Sequence, residues 1–436
     1  MTTMPIDTPA ARYLQRARRS LVAAVWFSIL TFPIMVIRAN TATGTVVWRW
    51  HNIAWMLGGT FVGSFLWTAA LDRKQRGGTI SRPSPVRERL ATIKANVTAV
   101  TRQATVRRGL FAALLVIVAV FPFVSGMYQT NIVTTALLYV VLGLGLNIII
   151  GLGGMLHIGY IAFYALGAYT YALLNYHYGL NFWFALPIGA FVGGLFSLLI
   201  GIPVLRLRGD YLAIVTLAFA EITRLVLENW NTLTFGTAGI RNIPRAAIPG
   251  VRMMLPQTTI FTYFIMIAIV ALTVFVVNRL EKSRIGRQMV AMKEDVIACQ
   301  AMGVNIAKTK LTALTLGGVW AGLAGVVFAA RTTFINPASF SVWESIIVLC
   351  TVVLGGMGSI PGVIVGALVL ILVPEYLRAF AQYRMLLFGA VLVTMMVFRP
   401  GGLIPKRRAE YRISEEDREA ALATEQSFNY SGDQHE

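Results

Sequence analysis

The sequence predicts an all-α, polytopic transmembrane helical bundle of about twelve segments, a core of about ten and an N-terminal pair, with one amphipathic helix outside the membrane. Composition is the first observation behind it. Hydrophobic residues make up 56% of the 436 and charged ones only 13%, against about 45–50% and about 25% in a soluble domain. Water is not the main solvent of such a chain. The second observation is that several apolar runs reach the roughly 20 residues a helix needs to cross a bilayer. They are continuous and not alternating, which disfavours a β-barrel. The third is where the formal charge of +19 sits. Lys and Arg crowd into residues 12–19, 73–108, 279–310 and 399–408, with Arg206 and Arg208, and alternate spans put all of these on one side. The positive-inside rule makes that side cytoplasmic. The basicity thus reports orientation and not nucleic-acid binding.

Spans fall near residues 21–38, 50–70, 110–125, 131–151, 156–175 and 182–204, then near 211–228, 257–278, 311–330, 345–358, 360–378 and 385–399. Both termini then lie in the cytoplasm, and every loop falls where its charges favour it. The segment 345–358 is short enough to be re-entrant. Met1 to Ile37 resembles a signal peptide, but Arg38-Ala39-Asn40 is a poor cleavage site, so an uncleaved first span is expected. By composition the chain divides into 1–71, an extension with two spans; 72–108, a basic cytoplasmic loop; 109–405, the transmembrane domain; and 406–436, a polar cytoplasmic tail. The basic loop is either the solvated flank of a span or a patch for anionic headgroups of membrane lipid.

Glycines crowd between Gly143 and Gly167. They permit close helix packing, or a broken span that offers backbone groups to a cavity. Asn147 and His157 in this stretch are cavity lining or satisfied packing residues. Beyond Arg208, one helical face carries Glu221, Arg224 and Glu228, which form a pathway or an ion pair within the bundle. Asn229 to Leu255 is the longest outer loop, with a turn at Phe235-Gly236-Thr237-Ala238-Gly239-Ile240.

A charged island, Arg279 to Lys310, separates two long apolar segments. Within it Ile285, Met289, Met292, Val296, Cys299 and Met302 recur at helical spacing. This predicts one amphipathic helix from Arg287 to Met302, about 24 Å long at about 1.5 Å per residue, with Gly303 as its stop. Arg287, Gln288, Glu294 and Asp295 fall off the stripe. Such a helix lies on the lipid surface or docks into a separate soluble protein. After it, Gly318 and Gly322 have the GxxxG spacing of close helix contact and Gly325 extends the face. Gly355 to Gly362, with Pro361, breaks the next apolar run.

Cys299 and Cys350 are the two cysteines, too few and too far apart for a disulfide framework or a CxxC metal site. No Walker A, HExxH or GxSxG motif is present. Two classes remain from the residues themselves. One is a permease subunit driven through its docking helix by a separate ATPase. The other is an ion-coupled secondary transporter, poorly served by Glu221 in a span with Glu344 and Glu375 nearer span ends.

Several segments resemble the LivM-type permease of bacterial branched-chain amino-acid ABC importers. They are Gly143-Leu144-Gly145-Leu146-Asn147 to Gly151, Tyr160 to Tyr169, Pro203 to Leu217, Lys293-Glu294-Asp295 with Ala298 and Gly303, Phe328-Ala329-Ala330-Arg331, Val353 to Ser359, and Arg399-Pro400. The resemblance runs from about Phe111 to Pro405, and the first two spans resemble the extra pair of longer LivM members. It implies a subunit of the bacterial inner membrane that pairs with a LivH-type permease subunit. Two cytoplasmic ABC ATPases would hold ATP and Mg, and a periplasmic amino-acid-binding protein would deliver Leu, Ile or Val. This chain itself would hold no cofactor, metal or catalytic residue. The resemblance assigns ATPase coupling to Arg284, Gly286, Arg287, Met292, Glu294, Asp295, Val296 and Gly303. Pathway candidates are Asn147, Tyr160, Tyr164, Thr216, Glu221 and Arg224. Related permeases carry urea or short amides, the alternative substrate class. The family commonly reads GGPNGI where this chain has Phe235 to Ile240, and GFGE at Ala218-Phe219-Ala220-Glu221. The first departure bears on contact with the binding protein, the second on packing near Glu221.

Overall fold

The structure is a computed structural model. It describes residues 116–376 apart from 117, 206, 208 and 249–252, together with 37–40, 45–48, 389, 393, 395, 399 and 401–405. The expected span 50–70, the basic loop 72–108 and the tail 406–436 lie outside the described residues, as do most of the spans 21–38 and 385–399 and the start of 110–125.

The chain forms two compact units, Met1–Phe111 and Ala112–Glu436. In the first, strand β1 (Ile37–Asn40) pairs antiparallel with β2 (Thr45–Trp48). The run Thr45-Val46-Val47-Trp48 is β-branched and aromatic, which suits a pleated ribbon. Ile37 and Arg38 are therefore strand, where the sequence had extended the first span to residue 38.

The second unit is helical. Its elements are α1 (Met127–Asn147), which continues as a π turn (Ile148–Leu152), α2 (Ile161–Tyr178), α3 (Phe182–Val204) and α4 (Asp210–Asn229). Then come α5 (Leu255–Lys282), α6 (Arg284–Glu294), α7 (Val296–Ala301), α8 (Ile306–Thr332), α9 (Val342–Gly355) and α10 (Ile360–Tyr376). Among the described residues, five segments are long and apolar enough to cross a membrane: Met127–Leu152, α3, α5, α8 and Pro337–Gly355. The protein is a polytopic helical membrane protein.

Helix α8 is the axis of the unit. Its Gly318 and Gly322 face Gly189, Gly193 and Ser197 of α3, and a Cβ on Gly318 would lie 2.6 Å from the Gly193 carbonyl. Gly325 meets the backbone of Tyr164 and Ala168 in α2, and Gly167 meets Gly322. Lipid supplies no hydrophobic drive between helices, so close backbone approach and dispersion hold them together. Ser197 Oγ adds a hydrogen bond to the Leu314 carbonyl at 2.7 Å. On its opposite side α3 exposes Phe184, Phe191, Leu199 and Ile202, an apolar face without charge.

The close-packing reading of the Gly143 to Gly167 cluster holds. Gly143 packs against Thr351 and Val363, as the packing reading requires. No span is broken: Met127–Leu152 runs through, and the break in helix at residues 153–160 falls between it and α2, which starts at Ile161, not at 156. A second break separates α9 from α10. The carbonyls it leaves without a helical partner are satisfied from far along the chain, Leu354 O by the Leu403 amide at 2.8 Å and Gly355 O by the Ile404 amide at 3.1 Å. At 14 residues, α9 is about 21 Å long at about 1.5 Å per residue, short of the roughly 30 Å hydrocarbon core.

Candidate functional site

The charged island folds as an elbow of α6 and α7 and not as one helix. Asp295 is extended between them, with φ −150° and ψ 115°. Its carboxylate accepts from the amides of Ile297 and Ala298 at 2.8 and 3.0 Å, so it starts α7 as an N-cap and ends α6. This corrects the expected 24 Å rod. At the other end Ser283 Oγ accepts from the Gly286 amide at 3.1 Å, so α6 begins at Arg284 and not at Arg287. Gly286 is buried where a Cβ would strike the Leu280 carbonyl, which sets the sharp turn out of α5. Gly303, at φ +78°, follows the end of α7 as expected.

The elbow changes which apolar residues face inward. Met289, Met292 and Cys299 are buried and Val296 is half-buried, whereas Ile285 is exposed and Met302 is 84% exposed. Ile297, outside the expected stripe, is 77% exposed. Arg284, Arg287, Glu294 and Asp295 share this outer surface. Among the residues that sequence reasoning left without a role is Lys293, whose Nζ donates to the Gly151 carbonyl at 3.0 Å.

Three of the pathway candidates meet at the first break. The Ile158 amide donates to Thr216 Oγ1 of α4 at 3.2 Å, and the Ile158 carbonyl accepts from Ser345 Oγ of α9. Tyr160 donates to the Gly317 carbonyl of α8 at 3.0 Å. Asn147 Oδ1 accepts from the Gly358 amide of the second break at 2.8 Å. Irregular backbone at membrane depth must find such partners within the protein. Asn147, Tyr160 and Thr216 are thus braces of the break. Two buried atoms there, Asn147 Nδ2 and His157 Nδ1, have no hydrogen-bond partner among the described residues. Tyr164 stands a turn further on, its ring centroid 5.3 Å from that of Phe328 and 5.4 Å from that of Phe340. Tyr160→Phe removes only the strut to Gly317. It is expected to lower stability by about 0.5–1.5 kcal/mol, read as the unfolding midpoint in detergent, with substrate KM unchanged; a raised KM with the midpoint intact would make Tyr160 a lining residue.

Glu221 and Arg224 lie further along α4. Arg224 donates from Nε and Nη2 to Glu221 Oε1 at 2.9 and 2.5 Å, and from Nη1 to Glu228 Oε2 at 2.6 Å. The expected pair is a ladder of three. Its side chains keep 24–39% of their exposure and flank an exposed aliphatic face that carries Ile222, Leu225 and Val226. A second polar set was not anticipated. Arg331 Nη1 donates to Thr135 Oγ1 at 2.6 Å, and Tyr139 donates to the Glu344 carboxylate. The available signal was a charge set flush against an apolar run in two successive segments. Among the described residues no group of His, Cys, Asp and Glu is placed to hold a metal ion, and Cys299 and Cys350 are free thiols.

Residues 128–398 match the family described as branched-chain amino acid transport system / permease component. The high-affinity branched-chain amino acid transport system permease protein LivM of Salmonella typhimurium is 44% identical over 71% of this chain and 78% of its own length. The protein of the same name from Escherichia coli is 43% identical over the same shares. The permease protein LivH of Escherichia coli is 28% identical over 33% of this chain and 46% of its own length. No solved structure matches.

Proposed function

The chain belongs to the family of branched-chain amino acid transport permease components, and on that premise we propose that it forms half of the translocation path of an ABC importer for Leu, Ile and Val. The other half is a LivH-type permease subunit. Two cytoplasmic ABC ATPases bind ATP and Mg and supply the energy, and a periplasmic amino-acid-binding protein supplies the solute. This chain then carries no catalytic residue or cofactor. The proposal puts about twelve spans in the bacterial inner membrane, with both termini and the elbow on the cytoplasmic side, as the crowding of Lys and Arg supports.

The elbow α6–α7 is the observation that carries this reading. It anchors itself through Met289 and Met292 and turns Ile285, Ile297, Met302, Glu294 and Asp295 outward. Apolar residues exposed among charges suit a protein groove. Mixed charge there, Arg284 and Arg287 with Glu294 and Asp295, suits a protein partner better than the uniformly basic surface that anionic lipid favours. Closure of the ATPases on ATP moves the elbow, and the spans attached to it, α5 and α8, alternate between outward and inward openings.

The ladder on α4 supports a path between the two permease subunits. Charges near hydrocarbon are costly, and α4, unlike α3, carries part-exposed charges at the edge of its exposed aliphatic face. A second subunit covering this face removes that cost and leaves both signs of charge along the seam, where a zwitterionic amino acid passes. The four remaining pathway candidates support the seam: Asn147, Tyr160 and Thr216 hold the break and Tyr164 backs it.

In vesicles, the full assembly is expected to take up Leu only with ATP and binding protein present, and this chain alone is expected to move nothing on a proton or sodium gradient. Gradient-driven uptake by the chain alone would mean a secondary transporter instead.

A further inference from the structure

We propose that Lys293 is the positioning residue through which movement of the elbow reaches the π turn and the link between α1 and α2, an inference that rests on the function proposed above. Lys293 lies at the end of α6, next to the outward Glu294 and Asp295, but its ammonium runs inward to the Gly151 carbonyl. That carbonyl belongs to the π turn. The amides that follow it go elsewhere: Gly153 N to Ile148 O, Gly154 N to Ile150 O and Met155 N to Ile149 O. The widened turn thus leaves Gly151 O open to a cation, as an uninterrupted helix would not.

From Gly151 the line continues without a gap. An added Cβ on Gly151 would strike Asn147 Oδ1 and lie 2.6 Å from the Gly358 amide. Asn147 Oδ1 holds that same amide at 2.8 Å. Lys293, Gly151, Asn147 and Gly358 therefore connect the elbow to both breaks, the one after α1 and the one between α9 and α10. Asn147 Nδ2 is buried without a partner among the described residues, and such a donor is satisfied by water or by a different arrangement of the break.

The surroundings suit a moving link. Gly154, at φ +68°, packs on the Lys293 stem, where a Cβ would lie 2.8 Å from Cγ. Beside it a cleft of about 300 Å³, lined by Met155, Leu207, Leu212, Met292, Val296 and Lys310, gives α6 room to shift against the turn. Apolar contacts slide, because they have no direction. A charge-assisted hydrogen bond is directional and resists separation, so it drags the turn with the helix.

The test uses the complete assembly with its companion permease subunit, ATPases and binding protein, in vesicles. Lys293→Met is expected to cut Leu uptake per ATP hydrolysed about tenfold while hydrolysis stimulated by the binding protein stays within about twofold of the parent. Lys293→Arg, which keeps a cation in reach of the carbonyl, should restore most of the uptake. Lys293→Gln, which keeps the stem and a neutral donor, should fall between the two, and it decides the matter if Lys293→Met does not assemble with the ATPases. Uptake and hydrolysis falling together, or no change in either, overturns the inference. Absence of ATP-dependent uptake in the parent assembly would instead overturn the function, before any variant is compared.

Discussion

Gly322→Leu is expected to leave no stably folded protein. A Cβ on Gly322 of α8 would strike the Gly189 carbonyl and lie 3.1 Å from the Gly193 Cα of α3, so a single methyl has nowhere to go. Overpacking a close-fitted core costs about 1–3 kcal/mol and at times more, and here the obstruction is backbone, which cannot rotate away. Gly322→Ala should fall inside that range and Gly322→Leu above it. The unfolding midpoint in detergent and the yield of membrane-inserted protein read both effects. A leucine variant that melts with the parent would show that α8 does not need this approach.

Charge reversal at the tip of the elbow is the second large effect. Glu294→Arg with Asp295→Arg should lower ATP-driven uptake about 30-fold, the equivalent of about 2 kcal/mol at an interface hot spot, while the chain still inserts. The two positions are not equivalent. Asp295 caps α7 through the amides of Ile297 and Ala298, so its reversal also costs about 1 kcal/mol of helix stability. Asp295→Asn keeps the cap and removes the charge, and it separates docking from folding. Unchanged uptake in the double reversal would remove the docking role from α6–α7.

The long spans were legible because a single property decides them. The run Phe182 to Val204 is apolar throughout and ends at charged neighbours, and α3 occupies those residues. The glycine spacing Gly318, Gly322 and Gly325 was also legible, since only small residues allow the approach found there. The elbow was half legible. Its amphipathic character shows in the residue pattern, but a polar Asp295 reads the same whether it faces outward from one helix or caps the next. The π turn was hidden by Ile148-Ile149-Ile150, which reads as continuing helix. The braces Thr216 and Ser345 were beyond reach for another reason. Each completes the backbone of Ile158, and that partnership exists only once α4 and α9 are packed. Arg331 and Glu344 show the limit of counting charges by side: both meet α1 side chains, Thr135 and Tyr139.

The bonds from Leu403 and Ile404 to the carbonyls of Leu354 and Gly355 impose an order on biosynthesis. Helix α9 leaves the ribosome first and waits with its terminal acceptors bare until the segment 401–404 emerges. A nascent chain arrested between the two is an unfinished intermediate, the kind of species that quality-control proteases in the membrane recognise.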